Sequence, residues 1–282
     1  MTTSWQGRTA IVTGAASGIG AATATLLARK GMNVVLSDIQ LKPLEELAAH
    51  LQQEGLQVVH RVCDVSDPNA VKALADFAEA TYGDIHLSFN NAGIAMHGVP
   101  MHEMPLADWR WLMEVNVQSV IHSIHHILPR MIRHGDRALF LNTASIGGLQ
   151  VNPVWLTGAY SMSKYAVVAL SEGLENELKD TAVRVAVLCP GAVATNLADA
   201  HTRPERLGGA TERPQQAFLR EAISRAGVSP GYVAQRIWRA IEDGEFYILT
   251  DASAQTIIEA RHRRIEEALA HATEFRGSQA AH

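Results

Sequence analysis

The chain has 282 residues, of which 47% are hydrophobic, 19% charged and 6% aromatic, with two cysteines and a formal net charge of −5. This composition argues against disorder and a disulfide scaffold, and the lack of a long basic run argues against a nucleic-acid groove. No uninterrupted apolar stretch reaches the roughly 18 residues of a membrane span, and Met1 to Arg8 lacks the basic-then-apolar order of a secretory signal, so a cytoplasmic protein with no membrane partner is expected.

In chain order, the β-branched run Thr9–Thr13 predicts a buried strand, and Gly18–Lys30 a helix with an Ala/Leu face that Gly31 stops. Asn33–Ser37 reads as a second strand, Leu44–Gln53 as a helix and Gln57–Val62 as a third strand. A helix over Asp67–Thr81 follows, with Asp67 capping it just before Pro68. Strands are predicted at Ile85–Phe89 and Arg137–Asn142, with one long helix from Ala107 to His134 between them. A helix over Thr157–Lys179 then precedes the strand Val183–Leu188. Near-continuously apolar strands separated by helices indicate a parallel sheet covered on both faces. One doubly wound α/β domain over residues 1–282 is expected, because no repeat or linker divides the chain.

Between Thr195 and Ser229 the texture changes, with prolines, glycines and the arginines Arg203, Arg206, Arg213, Arg220 and Arg225. So long a loop suits a substrate lid. Pro230–Glu242 reads as a helix, Phe246–Leu249 as a last strand and Ala252–Ala270 as a charged terminal helix, with a frayed tail from Gly277.

The first strand runs into Gly14-Ala15-Ala16-Ser17-Gly18-Ile19-Gly20, which opens directly into a helix. Glycines let backbone approach a ligand closely, and free amides at a helix start suit a pyrophosphate. An isolated glycine trio is equally compatible with a tight structural turn. Asp38 shifts the balance, because it ends the second strand 18 residues beyond Gly20, where a carboxylate can accept from ribose hydroxyls. It would also repel a 2′-phosphate. With Ser17 in the turn instead of a cation, NAD is expected rather than NADP, although Lys42 lies close by. Asp64 and Val65 end the third strand, placed to meet an adenine, and Asn91-Ala92-Gly93 follow the fourth. An aspartate at a strand end is more often a plain turn or cap.

Tyr160 and Lys164 stand one helical turn apart and share a face. On a surface this is an ordinary contact. Facing a nicotinamide, the ammonium and the cationic ring would favour the phenolate of an acid–base group.

These motifs, Thr13-Gly14-x-x-x-Gly18-Ile19-Gly20, Asn90-Asn91-Ala92-Gly93, Asn116, Ser145, Tyr160-x-x-x-Lys164 and Pro190-Gly191-Ala192-Val193-Ala194-Thr195, occur in the order typical of the short-chain dehydrogenase/reductase family. The chain resembles that family from about residue 7 to 196. The resemblance implies a Rossmann-like sheet of about seven strands and a homo-oligomer. It also implies Tyr160 as acid–base, Lys164 lowering its pKa and holding the nicotinamide ribose, and Ser145 donating to the substrate oxygen. Asn116 would hold a relay water, Asn91 would meet the cofactor through its backbone, and Val193 and Thr195 would meet the carboxamide. Thr143, two positions before Ser145, is the alternative to it. The stretch from Ser145 to Tyr160 is slightly longer than the family's usual one, so Leu149–Leu156 would form a bulky wall.

The expected reaction is hydride transfer between NAD(H) and a bulky hydrophobic or aromatic secondary alcohol or ketone. The alternatives are a non-catalytic NAD(H)-binding scaffold, and a nucleotide-sugar epimerase or dehydratase, for which the region after Thr195 is short. Met96, His97, Met101, His102 and Met104 are expected to border the substrate cavity, although methionines fill ordinary cores too. His122 and His126 have the spacing of a metal pair, but no third ligand is evident and no metal is expected. Cys63 and Cys189 read as buried free thiols.

Overall fold

In a computed structural model, residues 5–152, 154–199, 204–209, 220–221 and 227–280 are described. The elements in order are β1 (Thr9–Thr13), α1 (Gly18–Arg29), β2 (Asn33–Asp38), α2 (Leu41–Gln53), β3 (Val58–Val62), α3 (Pro68–Tyr82) and β4 (Ile85–Asn90). Then follow α4 (Leu106–Met113), α5 (Ser119–His126), α6 (Leu128–His134), β5 (Ala138–Thr143), α7 (Gly158–Glu177) and β6 (Val183–Cys189). The carboxy-terminal part supplies α8 (Pro230–Asp243), β7 (Tyr247–Leu249) and α9 (Gln255–Ala280).

The seven strands form one parallel sheet in the order β3-β2-β1-β4-β5-β6-β7. This is the predicted Rossmann-like, doubly wound α/β architecture. Strand side chains alternate between the two faces, and the apolar residues sort accordingly. Ala10, Val12, Leu36, Phe89 and Leu141 pack on one face with Leu27, Leu44, Leu51 and Ile237 of α1, α2 and α8. Ile11, Val35 and Phe140 pack on the other with Leu74 of α3, Met131 of α6 and Leu174 of α7. Phe89 and Phe140 are fully buried on opposite faces. Burial of such a side chain stabilises the fold by about 2 kcal/mol.

The order reverses between β1 and β4, whose register pairs Val12 with Phe89. Connections leave this point in opposite directions, so a crevice opens at the strands' carboxyl ends. Asp67 caps α3 as expected, accepting from Asn69 N at 2.9 Å with Pro68 in the first turn.

Two predicted elements differ. The single helix expected over Ala107–His134 is three helices. A π turn over Glu114–Gln118 separates α4 from α5, and α6 starts after Ile127, with Pro129 in its first turn. Proline lacks the N–H that would continue the ladder. Apolar periodicity is blind to one extra residue in a turn, so the π turn left no mark on the pattern. At the carboxy terminus, the tail expected to fray from Gly277 is helical backbone through Ala280. Ile265, Leu269 and Phe275 of α9 are exposed, and the Arg261 guanidinium lies 5.4 Å from the Tyr165 ring centroid. Among the described residues no helix is long and apolar enough to cross a membrane.

Most of the predicted lid, including Arg203, Arg213 and Arg225, lies outside the described residues. Its described parts are short 3-10 turns at Asn196–Asp199 and Glu205–Leu207, a Val193–Val228 bridge, and Arg206, which pairs with Glu114 at 2.6 Å.

Candidate active site

The glycine turn closes on itself so tightly that side chains have no room. Gly14 and Gly18 adopt φ of 66° and 55°. A Cβ on Gly14 would lie 2.9 Å from Ala92 Cα, and one on Gly18 would lie 2.9 Å from Thr195 Cγ2. The first turn and the loop after β6 therefore meet across the crevice. A Cβ on Gly20 would sit 2.0 Å from the Gly14 carbonyl oxygen, a backbone atom. Gly20→Ala is thus expected to lower the melting temperature and weaken NADH binding more than tenfold, read by thermal melts and fluorescence titration. Unchanged binding would show that the turn does not seat the cofactor.

Asn91 holds this turn through its side chain. Its Nδ2 donates to Thr13 O at 3.1 Å and Gly14 O at 3.3 Å. Thr13 Oγ1 accepts from both Asn91 N and Ala92 N, at 3.0 and 3.2 Å. The side-chain part of the Asn91–Thr13 clamp was missed in sequence reasoning, because nothing in a linear motif shows which backbone an amide will bind.

Asp38 ends β2 with Oδ2 accepting from Ala16 N at 3.1 Å and Oδ1 from Gln40 N at 3.0 Å. Its carboxylate is thereby fixed beside the glycine turn, where it remains partly exposed. Ser17 is the extended residue that starts α1, followed by Ile19 in the first turn, packed against the sheet core. Asp64 Oδ1 accepts from Ser66 N and Oγ, at 2.9 and 2.7 Å, so part of its acceptor capacity serves a local turn. Val65 is buried, and its carbonyl lies 2.9 Å from His122 Nδ1. That contact braces the His122 ring against the strand end. The His125 and His126 rings instead pack edge to face.

On the β6 side, Gly191 N donates to Thr250 Oγ1 at 3.0 Å, and a Cβ on Gly191 would lie 2.4 Å from Asp251 Oδ2. Pro190 O accepts from Ile146 N at 2.9 Å, joining this loop to the segment after Ser145. Val193 is buried and bridges to Val228, while Thr195 Oγ1 accepts from Leu197 N at 3.4 Å.

Tyr160, Lys164, Ser145 and Asn116 are all buried. The Tyr160 ring and the Ser145 hydroxyl both face Gly147, where a Cβ would meet Tyr160 Cε1 and Ser145 Oγ at 3.5 Å each. Ser145 Oγ also accepts from Gly147 N at 3.0 Å, and that bond fixes it as the cap of a 3-10 turn. Lys164 Nζ lies 5.8 Å from the Tyr160 ring centroid and donates to the Thr143 carbonyl at 2.9 Å. Thr143 thus serves the lysine through its backbone, its hydroxyl turned to Asn91 Oδ1 at 3.4 Å, while the Ser145 hydroxyl stands on the Tyr160 side of Gly147. Burial pushes the phenol up to about 12 and the ammonium down to about 8, with Ser145 opposing the rise at Tyr160.

Asn116 lies in the π turn, and its amide is fully engaged. Oδ1 accepts from Ile94 N and Nδ2 donates to Ile94 O, each at 2.9 Å, with a further bond to Ser163 Oγ at 3.1 Å. A Cβ on Gly93 would meet Asn116 Oδ1 at 3.3 Å and Lys164 Nζ at 3.5 Å. Asn116 therefore sits within the site, but its side chain is committed to protein atoms. A relay of buried polar groups sets α7 against the sheet: Asn90 Nδ2 donates to Asn142 Oδ1 at 2.8 Å, and Asn142 Nδ2 to Ser171 Oγ at 3.0 Å. Such a network is satisfied only in one register, which holds Tyr160 and Lys164 over the strand ends.

Of the residues expected around the substrate, Met96 and Met104 lie in one buried cluster with Tyr160, which Trp111 and Ala159 join. Gly98 N donates to Trp155 O at 3.2 Å, joining the loop after β4 to the wall before α7. His102 does not border the cavity: it is exposed and pairs with Glu103 at 3.3 Å. Met101 is largely exposed but its sulfur would meet a Cβ on Gly158. Cys63 and Cys189 are free and buried, and burial pushes both thiols up to about 12.

A third histidine group, His86, His134 and Asp136, brings ligand atoms within 4.8 Å of one another at the opposite edge of the sheet. Both His134 ring nitrogens are already engaged, Nε2 with Ile85 O at 2.9 Å and Nδ1 with Asp136 N at 3.0 Å. The group clamps β4 and α6 together.

Residues 8–206 match the family described as short chain dehydrogenase. The chain is 36% identical over 251 residues to 1-deoxy-11-beta-hydroxypentalenate dehydrogenase of Streptomyces exfoliatus, covering 89% of this chain and 85% of that protein. It is 34% identical over 197 residues to cyclohexanol dehydrogenase of an Acinetobacter strain, covering 70% of this chain and 77% of the relative. A short chain dehydrogenase/reductase from Burkholderia phymatum, solved in complex with NAD, superposes with a TM-score of 0.88 at 35% identity, covering 95% of this chain and 97% of the other. With the glycine cradle, the reversal of strand order and the buried Ser145–Tyr160–Lys164 group all in place, the chain belongs to the short chain dehydrogenase family.

Proposed function

We propose that this protein is an NAD-preferring oxidoreductase that interconverts a secondary alcohol and its ketone, with a bulky, largely apolar substrate. The observation that carries this reading is the buried Tyr160 side chain, with the Ser145 hydroxyl beside it across Gly147 and Lys164 flanking its ring, at the carboxyl edge of the sheet. The relatives named for dehydrogenation of hydroxypentalenate and of cyclohexanol, both carbocyclic alcohols, support that substrate class.

The residues present fit a nicotinamide dinucleotide. Gly14, Gly18, Ile19 and Gly20 would take the pyrophosphate at the start of α1, and Asp38 the adenosine ribose. Asp64 and Val65 would border the adenine. Ala92, Gly93, Pro190, Gly191, Val193 and Thr195 would line the nicotinamide end. When bound, the group supplies the acceptor or donor of a hydride at the carbinol carbon.

The chain's own residues handle the proton. Ser145 orients the substrate oxygen, and Tyr160 takes the hydroxyl proton during oxidation and returns it during reduction. Burial, the largest cause, pushes the phenol up to about 12, too high for a base near neutral pH. Lys164, held down to about 8, is still an ammonium at neutral pH. A cation close to the phenol favours the phenolate and lowers its pKa. Lys164 and an oxidised cofactor act in the same direction. The Asn116 side-chain amide is committed to Ile94 and Ser163, so it positions this end of the site rather than carrying a proton itself.

Absorbance at the NADH band, with NAD and NADP each offered against a panel of secondary alcohols and ketones, tests this reading. Turnover of cyclic or aromatic members with NAD is expected. NADH binding without turnover across the panel would instead favour a cofactor-binding scaffold.

A further inference from the structure

The scheme above leaves one polar side chain beside Tyr160 without a use. The His97 imidazole packs against the Tyr160 ring, with centroids 4.7 Å apart and planes tilted by 52°. It stands in the loop after β4, between Met96 of the apolar cluster and Gly98, whose N–H ties the loop to Trp155. His97 Nδ1 is sealed from solvent and has no hydrogen-bond partner. Burial alone pushes the imidazole down to about 4, so the ring is neutral near pH 7 and carries one donor and one acceptor nitrogen.

A buried polar atom without a partner costs about 1–3 kcal/mol. Packing against Tyr160 does not require that cost, because a phenylalanine ring covers the same surface without it. The segment following Ser145 carries a second such atom, Gln150 Oε1. Unpartnered polar groups among methionines and tryptophans are accounted for by a ligand that brings polar atoms of its own.

We propose that His97 is a specificity-determining residue that hydrogen-bonds a second oxygen of the substrate, carried on a carbon next to the reacting carbinol or one further along. The preferred substrates are then vicinally or β-oxygenated secondary alcohols and their ketones. This assignment rests on the reading of Tyr160 as the acid–base group. A site built to hydrogen-bond a substrate oxygen discriminates against the analogue lacking it, since the protein group is then left unpaired.

The test compares wild type with His97→Phe, which keeps a ring against Tyr160 and removes both nitrogens. The matched pairs are 1-phenyl-1,2-ethanediol against 1-phenyl-1-propanol, and trans-1,2-cyclohexanediol against trans-2-methylcyclohexanol. Wild type is expected to favour the oxygenated member in kcat/KM, and His97→Phe to reduce that preference at least tenfold. The kcat/KM for the deoxy member should stay within a few-fold. Equal losses on both members, or an unchanged preference, overturn the assignment. Calorimetric binding of the same pairs to the enzyme–NADH complex reads the contact without turnover. Equal affinities in wild type, or no binding of either pair, overturn the role of His97 even where other alcohols are turned over. Preferential binding that His97→Phe abolishes, with no turnover of any alcohol, retains the contact and overturns only the oxidoreductase reading.

Discussion

Tyr160→Phe is expected to lower kcat by about 10²–10⁴-fold, the usual worth of a positioned acid–base group, while leaving NADH affinity within a few-fold of wild type. The substitution removes one oxygen and keeps the ring that packs with Ile94, Met96, Met104 and Trp111. The loss should fall on kcat and kcat/KM together, because the proton is moved only in the transition state. The pH profile supplies the second readout. Oxidation needs the phenolate, and in the free protein burial holds the phenol up at about 12. Oxidation by wild type at saturating NAD should therefore rise with pH up to the phenol's pKa in the complex, and the limb should vanish in the residual activity of the variant. Undiminished turnover by Tyr160→Phe would remove the phenol from the chemistry.

Asp38→Ala should narrow the preference for NAD over NADP by about 10–100-fold, since hydrogen bonds to a charged group are worth about 1.5–3 kcal/mol and the repulsion of a 2′-phosphate goes with them. The same carboxylate also accepts from Ala16 N and Gln40 N, so its removal loosens the glycine turn for both cofactors alike. Asp38→Asn separates the effects, keeping an acceptor oxygen for the backbone while deleting the charge. Steady-state kcat/KM with each cofactor gives the ratio. An unchanged ratio in both variants would mean that Asp38 does not read the ribose.

Much of the fold was legible because its signals are local. Continuous burial along Ala10-Ile11-Val12 and Val34-Val35-Leu36, with successive side chains on opposite faces, reflects strands covered on both sides, and their near-continuous apolarity already marked them. Asp67-Pro68 announced a helix start through cap chemistry that operates within three residues. The π turn at Asn116 was not legible, because it is coupled to the Ile94 backbone and to Ser163, each remote in sequence. The same holds for His122, whose contact with the carbonyl of Val65 no spacing along its helix announces. His102 was grouped with the cavity-lining residues by proximity in the chain, yet it points to solvent while Met96 and Met104 turn inward. Nothing in a run of alternating methionines and histidines says which way a loop will roll.

By itself the sequence determined the βα alternation, the glycine positions of the first turn, the carboxylate at the end of β2, and the one-turn spacing of Tyr160 and Lys164. These are properties of neighbouring residues, set by sterics, periodicity and capping. Only the tertiary structure decided that the Thr143 hydroxyl turns to Asn91 and its carbonyl to Lys164, that Asn91 clasps the glycine turn through its amide, and that His97 lies against Tyr160 with a sealed, unpartnered nitrogen. Those outcomes depend on burial and on hydrogen bonds between segments distant in the chain, which exist only once the sheet has brought its strand ends together.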